Sequence, residues 1–317
     1  LYPYLENQVR LFEKPRLITE LIFADSTIYF VFIAGFLFSY LSYKINIKSY
    51  YIVKFKNVIL PYIIITFLVT GLKNWRELVD LDILTFLKTF INHVFLGTAL
   101  TPFWYIPFVA VVFLISPFFL MISDKTFRKI TLFAMFLPLL GTRPVIELTP
   151  WHFIYYIPVY MLGMMIARDY DRILKNIMRH KIWLYVAIAI TSLILIYNLS
   201  LPEHSYALQS NVHHSLFYIQ KLSISFLLLN FLKRFDSKKI NWLDYLAVYS
   251  FSIYFLHTIV QHPVQQIMYL EPLRKYIDYA PIPYIFFVAV LILLVTLGVC
   301  IALNRILGRY SRMLIGT

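Results

Sequence analysis

Residues 27–38 read TIYFVFIAGFLF, and this stretch decides the class of fold. It has no charged residue and lies inside a longer apolar run, 21–43, which is about the length of a helix that crosses a bilayer. Similar runs recur along the 317 residues, which are 60% apolar and 14% charged. A soluble domain is charged at about a quarter of its positions. The sequence therefore predicts an all-α, polytopic membrane helix bundle.

Nine apolar runs are candidate transmembrane helices, at 21–43, 57–72, 101–123, 127–141, 150–167, 181–200, 214–232, 242–262 and 281–307. The run 127–141 is the shortest of them. Residues 75–96 carry apolar side chains at helical spacing with charges between them, which predicts an interfacial helix rather than a tenth span. No repeat or flexible linker divides the sequence, so we expect one integral-membrane domain over residues 1–317.

The basic residues predict how the spans are oriented. The chain carries 29 Lys and Arg residues and a net charge of +13, and most of these residues lie in alternate loops, beginning after the first span. Cytoplasmic loops of membrane proteins are enriched in Lys and Arg, so the charge needs no nucleic-acid partner. The pattern predicts a cytoplasmic C-terminus and places Leu1 outside the cell. That orientation leads us to expect an N-terminal truncation, with one further helix before Leu1 and ten helices in the full protein.

Polar groups recur toward one side of the expected spans. Asp25, Lys221 and His257 lie within the first, seventh and eighth spans, and at ~1.5 Å per residue each falls in the outer half. Further groups open the third and fifth spans on the same side, namely Trp104, Glu147, Trp151 and His152. Ionisable groups inside a membrane are costly and indicate function. The set therefore predicts a polar cavity open to the extracellular side.

Simpler explanations exist for the individual residues. Tryptophans at span ends, such as Trp104, commonly anchor a helix at the interface. Lys221 can extend its ammonium group to the interface, and His257 can form a hydrogen bond between helices. Asp25 and Glu147 can lie among the lipid headgroups. The convergence of the set carries more weight than any member.

A basic element, YYIVKFKNVILPY at residues 50–62, marks the other side. Lys54 and Lys56 can hold phosphates by charge-assisted hydrogen bonds, or they can meet anionic lipid. No phosphate-cradling glycine loop, GxSxG motif or metal-ligand spacing occurs, so no metal is expected. His213 and His214 are adjacent, and we expect them to be loop residues because neighbouring side chains on a helix do not face each other.

Several stretches together resemble the membrane acyltransferase-3 family. They include YIVKFKNVILPYII at 51–64 and YSFSIYFLHTIV at 249–260, with 27–38, 102–119 and 156–167 in the same order. The branch that the chain most resembles acetylates or succinylates surface polysaccharides, such as intercellular-adhesion glucosamine polymers. The resemblance implies a multi-pass protein of the bacterial plasma membrane. It would move an acetyl or succinyl group from cytoplasmic acyl-CoA to a hydroxyl of an extracytoplasmic polysaccharide or glycolipid.

The resemblance also implies residue roles. The family's catalytic histidine lies on its first span, which we infer to precede Leu1. The family's basic element, often Arg-x-x-Arg, is assigned to CoA, and here Lys54 and Lys56 take its place. Ala34 stands where the family usually has a serine before glycine. Lysine lacks the two-pronged hydrogen bonding of arginine, so the implied contact with CoA is weaker here, and Ala34 has no hydroxyl to take the role of the serine.

General chemistry suggests roles for the remaining groups. Asp25 would orient the catalytic histidine, since a carboxylate fixes the imidazole tautomer and steadies its charged form. The developing oxyanion needs donors, for which His257, Tyr254 and Lys221 are candidates. The expected substrate-binding residues on the outer side are Trp104, Glu147 and Trp151, of which the tryptophans could stack on sugar rings.

Two other functions remain open at this stage. The outer cavity could conduct a glycan or a lipid-linked sugar through a transporter, or the chain could be a structural partner of glycan synthase machinery. A transporter commonly has paired halves with broken helices near the membrane midplane. The sequence shows no such repeat, and its charged groups avoid the midplane.

Overall fold

The computed structural model describes residues 18–44, 46–75, 82–141, 147–199, 210–235, 241–268 and 280–316. Within these ranges all regular structure is helical, which confirms the all-α class. Residues 1–17 and the helix expected before Leu1 lie outside the described part.

Thirteen α-helices are named here in chain order. They are α1 (Thr27–Tyr40), α2 (Ile47–Lys54), α3 (Leu60–Lys73), α4 (Ile83–Leu96), α5 (Tyr105–Leu120), α6 (Asp124–Ala134), α7 (Pro150–Arg168), α8 (Tyr170–Arg179), α9 (Lys181–Leu199), α10 (Ser210–Lys233), α11 (Asn241–Met268), α12 (Pro281–Leu307) and α13 (Ser311–Leu314). Short 3₁₀ turns accompany them, and a π-helix, Phe55–Ile59, joins α2 to α3.

Seven helical segments are long and apolar enough to cross a membrane. They are Ile18–Tyr40, Ile47–Lys73, Thr101–Leu120, Lys181–Leu199, Val212–Lys233, Asn241–Met268 and Ile282–Leu314. Large apolar side chains, among them Phe30, Leu72 and Ile306, stay exposed on these segments. A bilayer would cover such a surface, so the multi-pass membrane character of the prediction is confirmed.

Two of the nine expected spans are not among the seven. The run 127–141 divides into α6 and a 3₁₀ turn, Leu137–Leu140, and neither part is long enough to cross a membrane alone. The run 150–167 forms α7, which has 19 residues. Its histidine, prolines and tyrosines make it less apolar than the other segments. Residues 75–96 give the helix α4, with residues 76–81 outside the described part.

The chain divides into two compact units. Unit 1 contains residues 1–45, 115–144 and 149–239, and unit 2 contains residues 46–114, 145–148 and 240–317. Helix α5 contributes residues 105–114 to unit 2 and residues 115–120 to unit 1.

Unit 1 is built on the pair α1 and α7. A Cβ atom at Gly35 would lie 2.0 Å from the carbonyl oxygen of Tyr160, and one at Gly163 would lie 2.1 Å from that of Phe32. Each helix thus places a glycine against the backbone of the other. Small residues allow this approach, and close backbone packing is a main source of helix association in a membrane.

The 124–141 segment runs along the whole of α7. At one end, Arg168 donates to the carbonyl of Phe119 at 2.7 Å and to Asp124 at 2.7 Å. At the other end, Gly141 lies against the indole ring of Trp151. The interrupted segment therefore covers the same length as the 19-residue helix, in the opposite direction.

Unit 2 contains the basic element noted in the sequence. Pro61 stands at the start of α3 and has no amide hydrogen, so it cannot make the usual bond to the carbonyl four residues earlier. The backbone instead widens into the π-helix Phe55–Ile59, where the amide of Leu60 donates to the carbonyl of Phe55. Such π-turns frequently mark functional sites.

Candidate active site

Asp25 lies at a break in the first long segment. Residues 18–23 are helical, residues 24–26 form a turn, and α1 begins at Thr27. Asp25 has a φ of 58°, in the left-handed region, and it is the one non-glycine residue of the described chain with positive φ. Asp tolerates this conformation better than most residues, but an L-residue still loses roughly 1–2 kcal/mol there. The strained turn presents a carboxylate that is 3% exposed.

Lys221 stabilises this break from α10. Its ammonium group donates to the carbonyls of Leu21 and Ile22, both at 2.8 Å. The amide of Ser26, which would bond Ile22 in a continuous helix, instead donates to Phe23. The lysine thus replaces backbone donors lost at the turn. Lys221 is 0% exposed and also interacts electrostatically with Asp25, so the two sequence-predicted charges lie in one cluster.

Two further groups complete the cluster. The Tyr155 hydroxyl on α7 lies 3.0 Å from Asp25 Oδ2 and 2.9 Å from the backbone oxygen of His214, so it can donate to either. His214 on α10 places Nδ1 3.8 Å from the same Asp25 oxygen. We name this group, Asp25, Tyr155, His214 and Lys221, the Asp25 cluster. Three helical segments of unit 1 contribute to it.

The expectation that His213 and His214 are loop residues is wrong. Both lie on α10, which begins at Ser210. Their side chains do diverge: His213 lies 3.1 Å from Asn198 of α9, whereas His214 faces Asp25. The spacing of seven residues between His214 and Lys221 could have revealed the relation, since it places both on one helix face. Tyr155 had no comparable signal, because an apolar helix gives no reason to single out one tyrosine.

Of the candidates of unit 2, His257 has partners within its own helix and Tyr254 has a partner far away in the sequence. His257 Nδ1 lies 2.8 Å from the backbone oxygen of Tyr254 and 3.1 Å from that of Ile253, within its own helix. Its Nε2 lies 3.3 Å from Thr258 Oγ1. Tyr254 donates its hydroxyl to the carbonyl of Pro102 and packs between aromatic rings. These contacts fix both side chains in an aromatic layer.

The expected sugar-binding residues differ in accessibility. Glu147 is exposed, and Trp151 at the start of α7 is 47% exposed, so both can meet a ligand. Trp104 is 4% exposed and packs against Tyr105 and Phe108, so a sugar would have to displace protein to stack on it. His152 completes a capping box at the α7 N-terminus, where its Nδ1 accepts from the amide of Thr149 at 3.1 Å.

Lys54 and Lys56 lie where α2 passes into the π-helix. Lys54 is half-buried, with its ammonium 4.3 Å from the centre of the Phe113 ring. Lys56 is exposed. The first lysine is therefore held by a cation–π contact, while the second is free to meet an anion. Among the described residues, no three His, Cys, Asp or Glu side chains lie close enough to hold a metal ion.

The Asp25 cluster can support acid–base chemistry. It combines a buried carboxylate, an imidazole and an ammonium group, and buried ionisable groups brought together in this way are typical of catalytic sites. A family model described as an acyltransferase domain matches residues 26–303, starting one residue after Asp25. The chain belongs to the acyltransferase-3 family. The resemblance seen in the sequence is thereby confirmed, and the protein is a membrane acyltransferase.

Comparisons with curated proteins and with solved structures gave no match. The family match extends across both units of the acyltransferase. It therefore includes α10 with His214 and Lys221, the π-helix with Lys56, and α11 with His257.

Proposed function

We propose that this acyltransferase moves an acetyl or succinyl group from acyl-CoA to a hydroxyl of an extracytoplasmic polysaccharide or glycolipid. The observation that carries the proposal is the Asp25 cluster, a set of acid–base groups largely buried between helical segments of a chain of this family. Buried ionisable groups also form proton relays in transporters, so the match to an acyltransferase family decides between the two, and the enzyme is the function that we propose.

The reaction needs one proton acceptor and one activated acyl donor. The hydroxyl oxygen attacks the thioester carbonyl carbon, a C–O bond forms and the C–S bond breaks. The hydroxyl proton passes to a base, and the CoA thiolate takes up a proton as it leaves. A base near neutral pH and donors for the oxyanion lower the barrier of this step. The Asp25 cluster contains groups of both kinds: a carboxylate and an imidazole that can act as bases, and an ammonium group that can act as a donor.

The orientation follows the basic loops. We propose a bacterial plasma-membrane protein with a cytoplasmic C-terminus, in which the start of α2 and the π-helix face the cytoplasm. Lys54 and Lys56 would then meet the phosphates of acyl-CoA, and glycan would approach from the opposite side, where Trp151 and Glu147 are exposed. A glycan synthase is a natural neighbour, because it would supply the acceptor.

A transfer assay tests the reaction. Membranes with full-length protein receive radiolabelled acetyl-CoA or succinyl-CoA and oligosaccharides of N-acetylglucosamine. We expect hydroxylamine-labile label on the oligosaccharide, because hydroxylamine cleaves esters. Membranes carrying Asp25→Asn are the control. They should form ester label at least about 100-fold more slowly per unit of folded protein, which is in the range of general acid–base effects. Absence of ester label from wild-type membranes with either donor contradicts the proposal.

The donor side has its own test. The double variant Lys54→Ala with Lys56→Ala should raise the KM for acyl-CoA about tenfold with little change in kcat, since each charge-assisted contact to phosphate contributes about 1 kcal/mol or more. Lys48→Ala removes an exposed lysine of α2 outside the π-helix and is the matched control. If the double variant and Lys48→Ala have the same KM for acyl-CoA, Lys54 and Lys56 do not bind CoA and serve only to orient the chain in the membrane.

A further inference from the structure

Helix α8 lies where three other helices of unit 1 begin or end. Helix α7 ends at Arg168, just before α8, and the spanning segment that contains α9 begins at Lys181, just after it. The spanning segment of α10 ends at Lys233, whose ammonium group bonds Asp171 in the first turn of α8 and lies 4.9 Å from the centre of the Tyr170 ring. Spanning helices end near the edge of the hydrocarbon core. Helix α8 therefore lies at the boundary between membrane and water.

The sequence of α8, YDRILKNIMR, divides into an apolar and a basic side. The helix contacts α7 and α10, and its apolar side chains are buried or half-buried, namely Ile173, Leu174, Ile177 and Met178. Its basic side chains, Arg172, Lys175 and Arg179, are exposed. Lys and Arg residues grouped at the surface of a membrane attract anionic lipid headgroups. The helix is therefore fixed to the protein by one side and meets the headgroup layer with the other.

A cavity of about 270 Å³ opens between α8 and α10. It is lined by Asp171, Leu174, Lys175, Met178, Asn230 and Lys233. The leucine and the methionine give it an apolar wall, while the two lysines and the Asn230 amide supply hydrogen-bond donors. Asp171, the acid among these residues, is bonded to Lys233. Lys175 makes no ion pair with any described residue, so the cavity has a net positive charge.

The surface beside the cavity indicates which anion it suits. The last two turns of α10 expose Leu228, Phe231 and Leu232, close in sequence to Asn230 and Lys233. An anionic phospholipid presents a phosphate at the headgroup level and acyl chains that would cover this apolar surface. Basic pockets between transmembrane helices bind such headgroups. Inorganic phosphate or CoA would use the charge of the cavity but not the apolar surface next to it.

We propose that the cavity between α8 and α10 binds the headgroup of an anionic phospholipid. The ammonium groups of Lys175 and Lys233 and the amide of Asn230 donate to the phosphate oxygens, and the glycerol lies against Leu174 and Met178. At ~30 Å³ for each water-sized group, the cavity holds about nine such groups, close to the roughly ten non-hydrogen atoms of a phosphate with its glycerol. In the orientation proposed above, the lipid belongs to the cytoplasmic leaflet. The inference does not rest on the transfer reaction, because none of these residues belongs to the Asp25 cluster.

Lipid binding to the purified full-length protein in detergent tests this site. Native mass spectrometry counts the lipids bound to the folded protein, with phosphatidylglycerol as the anionic probe and phosphatidylcholine as the neutral one. We expect phosphatidylglycerol to bind at least about fivefold more tightly than phosphatidylcholine. Lys175→Gln should weaken its binding about fivefold, since one lysine near anionic lipid contributes a factor of about this size. Arg179→Gln removes an equal charge from the same helix outside the cavity and should change the affinity less than about twofold, and Lys175→Arg should retain it.

Two further measurements separate a defined site from general attraction and identify the source of the phosphate. Met178→Trp keeps every charge but fills the cavity, and it should also weaken phosphatidylglycerol binding at least about fivefold. Equal losses in Lys175→Gln and Arg179→Gln, unchanged binding in Met178→Trp, or equal binding of phosphatidylcholine would each overturn the inference. Inorganic phosphate and CoA are the competitors, and we expect neither to displace the lipid. Displacement by either one would assign the cavity to a soluble phosphate and overturn the lipid site.

Discussion

The two units of this acyltransferase hold their polar side chains in different ways. In unit 1, groups from separate helical segments meet: Asp25 contacts Tyr155 and faces His214, and Lys221 bonds the carbonyls at the helix break. In unit 2, His257 bonds the backbone of its own helix, and Tyr254 donates to the neutral carbonyl of Pro102. The contacts of the Asp25 cluster and of Tyr254 depend on tertiary packing, whereas those of His257 are local.

The contrast bears on where the chemistry is located. A polar group satisfied by its own helix is cheap to keep in a membrane and needs no function to explain it. A buried carboxylate and ammonium drawn from different helices are costly, because each must be desolvated and then paired. Unit 1 contains such a pair in Asp25 and Lys221, so we propose that the acid–base chemistry takes place there. Matched substitutions in the two units test this difference.

The largest difference should come from the buried Lys221 and the half-buried Lys54. Lys221→Met removes an ammonium group that neighbours Asp25 and leaves two carbonyls without their donor, so we expect a loss of about 3–5 kcal/mol. Lys54→Met keeps the apolar stem over Phe113 and loses a cation–π contact of about 0.5–1 kcal/mol. Thermal unfolding of both variants in detergent measures the difference. Equal midpoints would contradict the assignment of different roles to the two lysines.

A smaller difference should separate two tyrosines. Tyr155→Phe removes a hydroxyl that bonds a carboxylate, and hydrogen bonds to charged groups contribute about 1.5–3 kcal/mol. Tyr254→Phe removes a bond to the neutral carbonyl of Pro102, for which about 0.5–1.5 kcal/mol is expected. Tyr155→Phe should also lower kcat, because Asp25 is less firmly held. If Tyr254→Phe proved the more damaging for kcat, unit 2 would take over as the candidate catalytic region.

Two glycines should show stability effects that differ in sign. Gly35→Ala drives a methyl group into the Tyr160 backbone, and overpacking of this kind costs about 1–3 kcal/mol, partly offset by the higher helix propensity of alanine. A Cβ at Gly298 on α12 would meet nothing within 4 Å, so Gly298→Ala should stabilise by up to about 1 kcal/mol. Midpoints of thermal unfolding measure both changes. A stabilised Gly35→Ala would disprove the close contact of α1 and α7.

Several features could be read from the sequence because they depend on local composition. Apolar runs predicted helices, and a family resemblance spread over five stretches predicted an acyltransferase. Both are confirmed. The short run at 127–141 and the mixed run at 150–167 were harder to judge, since α6 ends early and α7 carries many polar groups. Length and hydropathy alone cannot separate a buried helix from one that faces lipid.

Hydropathy and short motifs are local properties, so the multi-pass helical class and the acyltransferase-3 family could both be read from the residues. Which polar residues meet depends on how the helices pack. The break at Asp25, the capping by Lys221 and the approach of His214 join residues about 200 positions apart. Such contacts depend on how α1, α7 and α10 pack, and packing is set by shape at positions such as Gly35 and Gly163.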